Sequence, residues 1–271
     1  MKMSTVWFGP SLWLVMAVLL GIATHDVIGY AAPLRTAPPA AFDYAQPSML
    51  TGTLYAVGSD QTNVLFTFRR SATRSGNAVR VERRFDLPDG STAAVENIVY
   101  ISGRLVSYEM KELQAGLWGS IQIYPATNNP TMQKIVINHG RDTETRHKGT
   151  EADLANDTVI DDTLYPFILS HWDELQRGAN VKFRFVSLEW EKTFGFKLAK
   201  SKESVINGNR VVWIKMEPTS LFVAEFMNPI TFAIEKDGSH RLLEYIGRTT
   251  PRLKKGKTWK YADADTVFDW K

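Results

Sequence analysis

The chain has 271 residues, a formal net charge of +3, 44% hydrophobic residues and 23% charged residues. This composition is typical of a folded globular protein and excludes wholesale disorder. Basic and acidic residues alternate along most of the chain, which argues against nucleic acid binding. Because the sequence contains no cysteine, disulfides, thiolate metal sites, cysteine nucleophiles and a cysteine-linked lipid anchor are excluded.

Residues 1–32 have the layout of an export segment. Lys2 is followed by an apolar run from Leu12 to Ala23, and small residues follow at Gly29 and Ala31. A positive start, an apolar stretch and a small-residue cleavage site predict a signal peptide. The alternative is an uncleaved membrane anchor, because apolar residues before Gly9 extend the run toward the roughly 20 residues that a span needs.

Either fate of this segment predicts an exported protein, in the periplasm or on the periplasmic face of a bacterial membrane. Residues 33–47, rich in alanine and proline, have no periodic apolar pattern and predict an extended tether. From Ser48 onward the pattern changes to short alternating or β-branched runs that end at turn residues. We therefore expect a single β domain over residues 48–271.

The first half of this domain predicts a meander of antiparallel strands. Ser102-Gly103 and Pro88-Asp89-Gly90 are turn signals between strands. The predicted strands are 49–57, 63–70, 79–85, 93–101, 104–112, 120–124 and 132–138. Residues 143–156 are polar and charged, which predicts a mobile loop.

Residues 161–178 predict the clearest helix. Asp161 or Asp162 can cap its start, Pro166 is tolerated in a first turn, and Gly178 suits the exit. Leu164, Phe167, Ile168 and Leu175 recur at helical spacing, so one face should pack on the sheet.

The remaining chain predicts more hairpins and one short helix. Strands are expected at 181–188, 194–199, 211–216, 230–234, 242–246 and 266–270, with Asn207-Gly208 and Asp237-Gly238 as hairpin turns. Residues 221–227 predict the second helix, ended by Asn228-Pro229. About a dozen strands without βαβ alternation predict a curved antiparallel sheet, a barrel or half-barrel, with two helices packed on it.

Two segments carry a family resemblance. The run DTLYPFILSHWDELQRGANVKFRF, from Asp162 to Phe185, and the run MEPTSLFVAEFMNPITFAIEKDGSHRLLEYIG, from Met216 to Gly247, resemble an uncharacterised family of bacterial exported proteins classed as a domain of unknown function. The resemblance implies a secreted, curved antiparallel β-sheet protein of the bacterial envelope. It implies no activity and no cofactor.

No constellation of residues in the sequence predicts a catalytic or metal site. There is no Gly-x-Ser-x-Gly elbow and no glycine-rich phosphate loop, and the five histidines have no metal-ligand spacing. His171, beside Trp172 and Asp173, is the residue that a hydrolase would use as a general base. A boundary histidine on an amphipathic helix is the alternative explanation.

Aromatic residues are the distinctive feature of the second half. Phe183-Arg184-Phe185 and Phe194-Gly195-Phe196 each place two rings on one face of a strand. One interpretation is that these rings form ordinary hydrophobic core beneath the helices. The other is that they line an apolar concavity that holds a lipid chain. The residues predicted to bind such a ligand are Phe183, Phe185, Trp190, Phe194, Phe196 and Trp213.

The sequence thus predicts a non-catalytic exported envelope protein that binds a lipid or other apolar ligand in its curved sheet. A membrane-anchored accessory or structural subunit of a larger membrane complex is the alternative, and a hydrolase is a second alternative. Near the C-terminus, Arg252, Lys254, Lys255 and Lys257 form a basic cluster. Such a cluster suits either anionic lipid headgroups or a solvated loop.

Overall fold

The computed structural model describes residues 42–144, 149–225 and 227–270, which belong to one compact unit. The predicted signal peptide or anchor and most of the predicted tether lie outside these residues. Among the described residues, no helix is long and apolar enough to cross a membrane.

Strands dominate the described chain, which also contains a 3-10 turn and three short helices. The strands are β1 (Met49–Ala56), β2 (Val64–Ser75), β3 (Ala78–Asp86), β4 (Thr92–Ile101), β5 (Arg104–Glu112), β6 (Leu117–Ala126), β7 (Asn129–Arg141), β8 (Thr150–Asp153), β9 (Thr158–Val159), β10 (Val181–Ser187), β11 (Lys192–Ile206), β12 (Asn209–Pro218), β13 (Ile230–Glu235), β14 (Leu242–Arg248), β15 (Leu253–Lys255), β16 (Thr258–Lys260) and β17 (Asp263–Asp269). The 3-10 turn is Asp161–Thr163, and the helices are α1 (Leu164–Ser170), α2 (Trp172–Gln176) and α3 (Leu221–Ala224).

Fifteen of these strands form one curved sheet that is not closed. Its order is β8-β7-β6-β5-β4-β3-β2-β1-β17-β14-β13-β12-β11-β10-β9, while β15 and β16 pair separately. Neighbouring strands are antiparallel except β9 and β10, which are parallel. The predicted mainly β fold with a curved antiparallel sheet is confirmed, and because the sheet is open the half-barrel is the form it takes.

Tight turns account for much of this agreement. Ser102 and Gly103, between β4 and β5, have φ angles of 50° and 73°, and Asn207 and Gly208, between β11 and β12, have 48° and 81°. Two successive positive φ values match the twist of a two-residue hairpin, which asparagine and glycine adopt at low cost. These two turns therefore set the register of their hairpins, and both turns lie where the sequence predicted them.

The predicted helix over 161–178 is interrupted. The chain forms the 3-10 turn and α1, breaks at His171, and resumes as α2. The Ser170 hydroxyl donates to the Phe167 carbonyl at 2.8 Å, and His171 Nδ1 lies 3.0 Å from the same oxygen. Side chains that occupy a helical carbonyl in this way bend helices. The apolar face still packs on the sheet, since Ile168 and Leu175 are fully buried among β10–β14 side chains.

The second predicted helix lies beside β12 and is short. α3 has one turn, and its Leu221 and Phe222 are 87% and 67% exposed. A four-residue helix has too small a face to bury an apolar stripe. This helix is therefore shorter than the predicted 221–227, and it buries little apolar surface.

Several short elements were not predicted. β8 falls inside the segment expected to be a mobile loop and pairs with β7 through Lys134, which faces Asp153. β9 has only two residues, so its parallel pairing with β10 across the helices gave no sequence signal. The β15–β16 hairpin was also missed, because lysines there outnumber apolar residues.

Residues 42–47, the end of the predicted tether, pack against the sheet. The Tyr44 ring stacks on Tyr100 with centroids 3.7 Å apart, and the Phe42 ring meets Tyr165 edge-on at 6.1 Å. Arg70 donates hydrogen bonds to the carbonyls of Tyr44 and Pro47, each at 2.6 Å. This packing extends the β domain back to at least Phe42.

The two ends of the strands define two rims. Pro218 at the end of β12 pairs with Phe196, near the start of β11, and Arg248 at the end of β14 pairs with Asp263 at the start of β17. Residues 188–191, 219–225, 227–229 and 249–262 therefore lie at the same rim, here called the upper rim. The Ser102-Gly103 and Asn207-Gly208 turns lie at the opposite, lower rim.

A carboxyl pair on the convex face is expected to make stability depend on pH. Burial, followed by the nearby Asp265 carboxylate, raises the pKa of Glu244 to about 7. The folded state therefore binds this proton more tightly than the unfolded chain, and the resulting stabilisation, complete below about pH 4.5, is lost as the pH rises through about 7.

Glu244→Gln should remove this dependence, because the amide donates a hydrogen bond without titrating. We expect the free energy of unfolding to rise by about 1 kcal/mol near pH 8 and to change little near pH 4, allowing for the partial exposure of the site. Urea denaturation at the two pH values measures the effect. Glu109→Gln, at an exposed position of β5, is the control, and an equal effect of Glu244→Gln at both pH values would contradict the prediction.

Candidate functional site

The concave face of the sheet surrounds a cavity of about 510 Å³. Both halves of the sheet contribute apolar lining: Phe68 and Met110 come from the strands before β8, and Met216 and Phe232 from those after β9. Small-molecule sites are concave, mostly apolar and about 300–1,000 Å³ in volume. The cavity thus has the size and lining of a ligand site.

The cavity reaches the protein surface at the upper rim. Trp190 and Phe222, both in the lining, are 61% and 67% exposed. At the lower rim, Tyr44 and Trp270 are half-buried members of the lining, and Trp270 Nε1 donates to the Leu242 carbonyl at 2.6 Å. The exposed lining residues of the upper rim therefore mark one route of access to the cavity, and the exposed Gln46 also belongs to the lining near the lower rim.

One side of the cavity carries a buried ionic cluster around Arg83. Its guanidinium pairs with Glu96, which is fully buried, and with Asp161 and Asp162. The Tyr100 hydroxyl donates to Asp162 at 2.7 Å. Burial alone would lower the pKa of Arg83, but Glu96 and Asp162 outweigh it and raise that pKa. The cation is thus held in its charged form beside an apolar cavity.

A second buried cation, Arg70, lies in the same lining. Its guanidinium donates to two backbone carbonyls, those of Tyr44 and Pro47. Burial lowers the pKa of Arg70, and the Asp162 carboxylate opposes that shift. Together the two arginines and Asp162 form a polar patch within the apolar lining of the cavity, an arrangement that suits a ligand with both apolar and polar parts.

Residues 249–262, which connect β14 to β17 and are here called the strap, extend across the upper rim to β4 and β5. The Thr250 hydroxyl donates to Glu96 Oε1 at 2.6 Å. The Arg252 backbone N–H donates to Glu112 Oε2 at 3.0 Å, and its guanidinium lies 3.2 Å from Glu112 Oε1. Gln114 Nε2 donates to the Arg252 carbonyl at 2.6 Å. The strap therefore borders the cavity and is held there by polar contacts.

The β10–β11 turn, residues 188–191, approaches the other half of the sheet. Glu191 accepts hydrogen bonds from the His139 backbone N–H and the Thr150 hydroxyl, each at 3.0 Å. A Cβ atom on Gly119 would lie 2.8 Å from Leu188 Cδ1, so the lack of a side chain at Gly119 leaves room for Leu188 in this position. Side-chain contacts thus bring β6 and β7, near one edge of the open sheet, close to the β10–β11 turn near its other edge.

Four of the six aromatic residues predicted to bind a ligand line the cavity. Phe185, Phe194 and Phe196 belong to its wall, and Trp190 lies at the upper rim. Trp190 and Phe194 meet edge-on with centroids 6.4 Å apart. The alternation of rings along β10 and β11 therefore indicated a real concave surface.

The other two predicted residues lie elsewhere. Phe183 is 2% exposed and packs beneath α1, with its ring 5.2 Å from that of Phe167. Trp213 lies on the convex face, where its Nε1 donates to Ser204 Oγ at 2.8 Å and Lys202 lies over its ring. The structure does not bring these two residues to the cavity.

The sequence analysis missed the lining from the first half of the sheet. Phe66, Phe68 and Arg70 alternate along β2 and are all buried, which places them on one face. That alternation was a usable signal for a concave surface. The pairing of Arg83 with Glu96 gave no such signal, because it depends on the register between β3 and β4.

His171 is not part of the cavity. Its Nδ1 lies 3.0 Å from the Ser170 hydroxyl, and its ring packs 4.4 Å from that of Phe167. In the part of the chain that the structure describes, no three histidine, aspartate or glutamate side chains are grouped so that they could hold a metal ion.

The comparisons with known proteins leave the family open. The chain matches no protein-family model, no curated protein and no solved structure. The resemblance to a family of exported bacterial β-sheet proteins therefore stays a prediction.

Proposed function

We propose that this protein is a non-catalytic exported envelope protein that binds the apolar part of a lipid or similar amphipathic molecule in its concave cavity. The observation that carries the proposal is the 510 Å³ cavity, which is lined by apolar side chains from both halves of the sheet and bordered at the upper rim by the exposed Trp190 and Phe222. Burial of an alkyl chain against such a wall is favourable by about 0.8 kcal/mol per methylene group.

The polar patch supports an amphipathic ligand over a purely apolar one. Arg70 and Asp162 line the same cavity as Phe85 and Phe232. An apolar group placed against these side chains would displace water from them without supplying hydrogen bonds, so a ligand that fills the cavity is best served by a polar group near the arginines. Hydrogen bonds from that group would fix the orientation of the chain.

Native mass spectrometry of the full chain, purified from membranes in mild detergent, tests the proposal directly. We expect a bound species whose mass corresponds to a lipid or another amphipathic molecule. Titration with an apolar fluorescent dye should show saturable binding that an added lipid displaces. A uniformly ligand-free protein that also gives no fluorescence gain would contradict the proposal.

Phe185→Asp should weaken dye binding by at least about tenfold, because it places a carboxylate in the apolar wall. Phe185 is half-buried, so the variant should remain folded by circular dichroism. The matched control is Val205→Asp, at a position 65% exposed and outside the lining. Equal dye affinity of the two variants would show that the dye binds elsewhere.

A second candidate is an accessory subunit of a membrane complex, which the edge strand β8 favours. All four residues of β8 are exposed, and it pairs only with β7. An unpaired edge can accept a strand from a partner. A photo-crosslinking residue at Glu151 should then capture one defined protein in cells, whereas the same residue at Lys111 should not.

A further inference from the structure

We infer that the upper rim docks onto the surface of an anionic lipid bilayer. The β15–β16 hairpin would contact the headgroups, and the exposed apolar residues of α3 and the β10–β11 turn would enter the interfacial layer. This inference extends the proposed function. It rests on that function only in one respect, which is that the membrane would supply the ligand of the cavity.

The hairpin carries a concentrated positive charge. Lys254, Lys255, Lys257 and Lys260 are all exposed, and no aspartate or glutamate occurs in residues 249–262. None of these four lysines forms an ion pair with a described residue, and Lys254 Nζ lies 5.8 Å from the centre of the Trp259 ring. Unpaired lysines beside an aromatic ring are typical of segments that bind anionic lipid surfaces.

Each acidic residue close to the hairpin has a partner outside it, and Glu144, which lies near Lys257, accepts a hydrogen bond from the Arg141 backbone N–H at 3.1 Å. Glu189 accepts a hydrogen bond from the Tyr261 hydroxyl at 2.7 Å, and Glu191 binds His139 and Thr150 as described above. Glu112 is buried against Arg252. Glu144 and Glu189 remain exposed, but the four lysines outnumber them, so this part of the rim keeps an excess of positive charge.

Exposed apolar side chains are concentrated at the same rim. Of the ten large apolar residues exposed in the described chain, six lie at the upper rim. These six are Val57, Val64, Leu113, Trp190, Leu221 and Phe222. Apolar groups that remain in water beside unpaired cations indicate a binding surface, and a bilayer interface supplies both kinds of partner.

The same side chains connect this surface to the cavity. Trp190, Phe222 and Val223 belong to the cavity lining, and the strap leads from the lysine hairpin to Arg252 and Tyr261, which also line it. Docking in this orientation would place the opening of the cavity at the level of the lipid headgroups. An amphipathic ligand could then enter without crossing water.

A site-specific probe tests the inference in the full chain. Because the sequence has no cysteine, Leu221→Cys can be labelled with an environment-sensitive fluorophore and the protein reconstituted in phosphatidylcholine vesicles with or without phosphatidylglycerol. We expect a blue shift, quenched by lipid-borne quenchers, only with phosphatidylglycerol. The same label on Val205→Cys, at the lower rim, should show no shift, and salt should weaken the signal at position 221.

Charge variants separate docking from general attraction. Lys254→Glu with Lys257→Glu should reduce the shift at least about tenfold, whereas Lys111→Glu with Lys182→Glu, the same charge change on the convex face, should retain it.

Equal shifts at positions 221 and 205, a shift with phosphatidylcholine alone, or a shift that survives the hairpin substitutions would overturn the inference. A concentration-dependent shift without vesicles would instead indicate a second copy of the chain. Dye occupancy, measured in the same samples, reports on ligand binding separately.

Discussion

Arg83→Met should lower the free energy of unfolding by about 3–5 kcal/mol at neutral pH, because it leaves buried carboxylates without their cation. Glu96, which is fully buried, loses its ion pair, and Asp162, which is 9% exposed, loses its neighbouring charge. This loss is a large fraction of the 5–15 kcal/mol that typically stabilises a domain. Urea denaturation followed by tryptophan fluorescence measures it.

The adjacent arginine provides a matched control for this prediction. Arg84 points to the other face, is 36% exposed and pairs with Asp86 at 2.7 Å. Arg84→Met should cost no more than about 1 kcal/mol, as expected for a surface pair. Adding Glu96→Gln to Arg83→Met should recover part of the lost stability, since one stranded charge is removed. Similar losses for the two single arginine variants would contradict the assignment of a buried cluster.

Arg252→Met should release the strap and cost about 3 kcal/mol near pH 8. Arg252 is 6% exposed and lies between Glu112, Glu189 and the Tyr261 hydroxyl. Hydrogen exchange of amides in residues 249–262 should accelerate strongly relative to the sheet. Arg210→Met is the control, because its partner Asp237 is 3.5 Å away and both side chains are mostly exposed.

The effect of Arg252→Met should depend on pH in a defined direction. Burial raises the pKa of Glu112, and the Arg252 charge opposes the shift. Without Arg252 that pKa rises further, so the folded state holds the Glu112 proton more tightly, and the stability this confers is lost as the pH rises through the folded-state pKa. The cost of the substitution should therefore shrink toward acidic pH. A cost independent of pH, or one that Glu112→Gln does not relieve, would contradict the prediction.

The sequence predicted those parts of the fold that depend on local chemistry. β5 was predicted over the residues it occupies, because Ser102-Gly103 fixes its start and its side chains alternate. β9 could not be predicted, since a strand of two residues shows no periodicity of apolar side chains. The break at His171 was also missed, because it depends on side chains competing for one backbone carbonyl.

The candidate site was predictable only in part, for a related reason. In β12, Val211, Val212, Trp213 and Ile214 are all buried, so hydrophobicity alone could not tell which of them lie on the concave face and which on the convex face. Arg83 resembles any solvent-facing charge in a strand until register places it opposite Glu96. The site therefore depends on long-range pairing that a single sequence does not reveal.

The pairing of β1 with β17 has a consequence for how the chain folds. Thr51 faces Asp269, so the first and last strands are neighbours at the centre of the sheet. Most other neighbours are joined by short turns and can form hairpins quickly, whereas this pair must close a loop that spans almost the entire domain. Each half can thus assemble as its own meander, and the cavity between them is completed only when β1 pairs with β17.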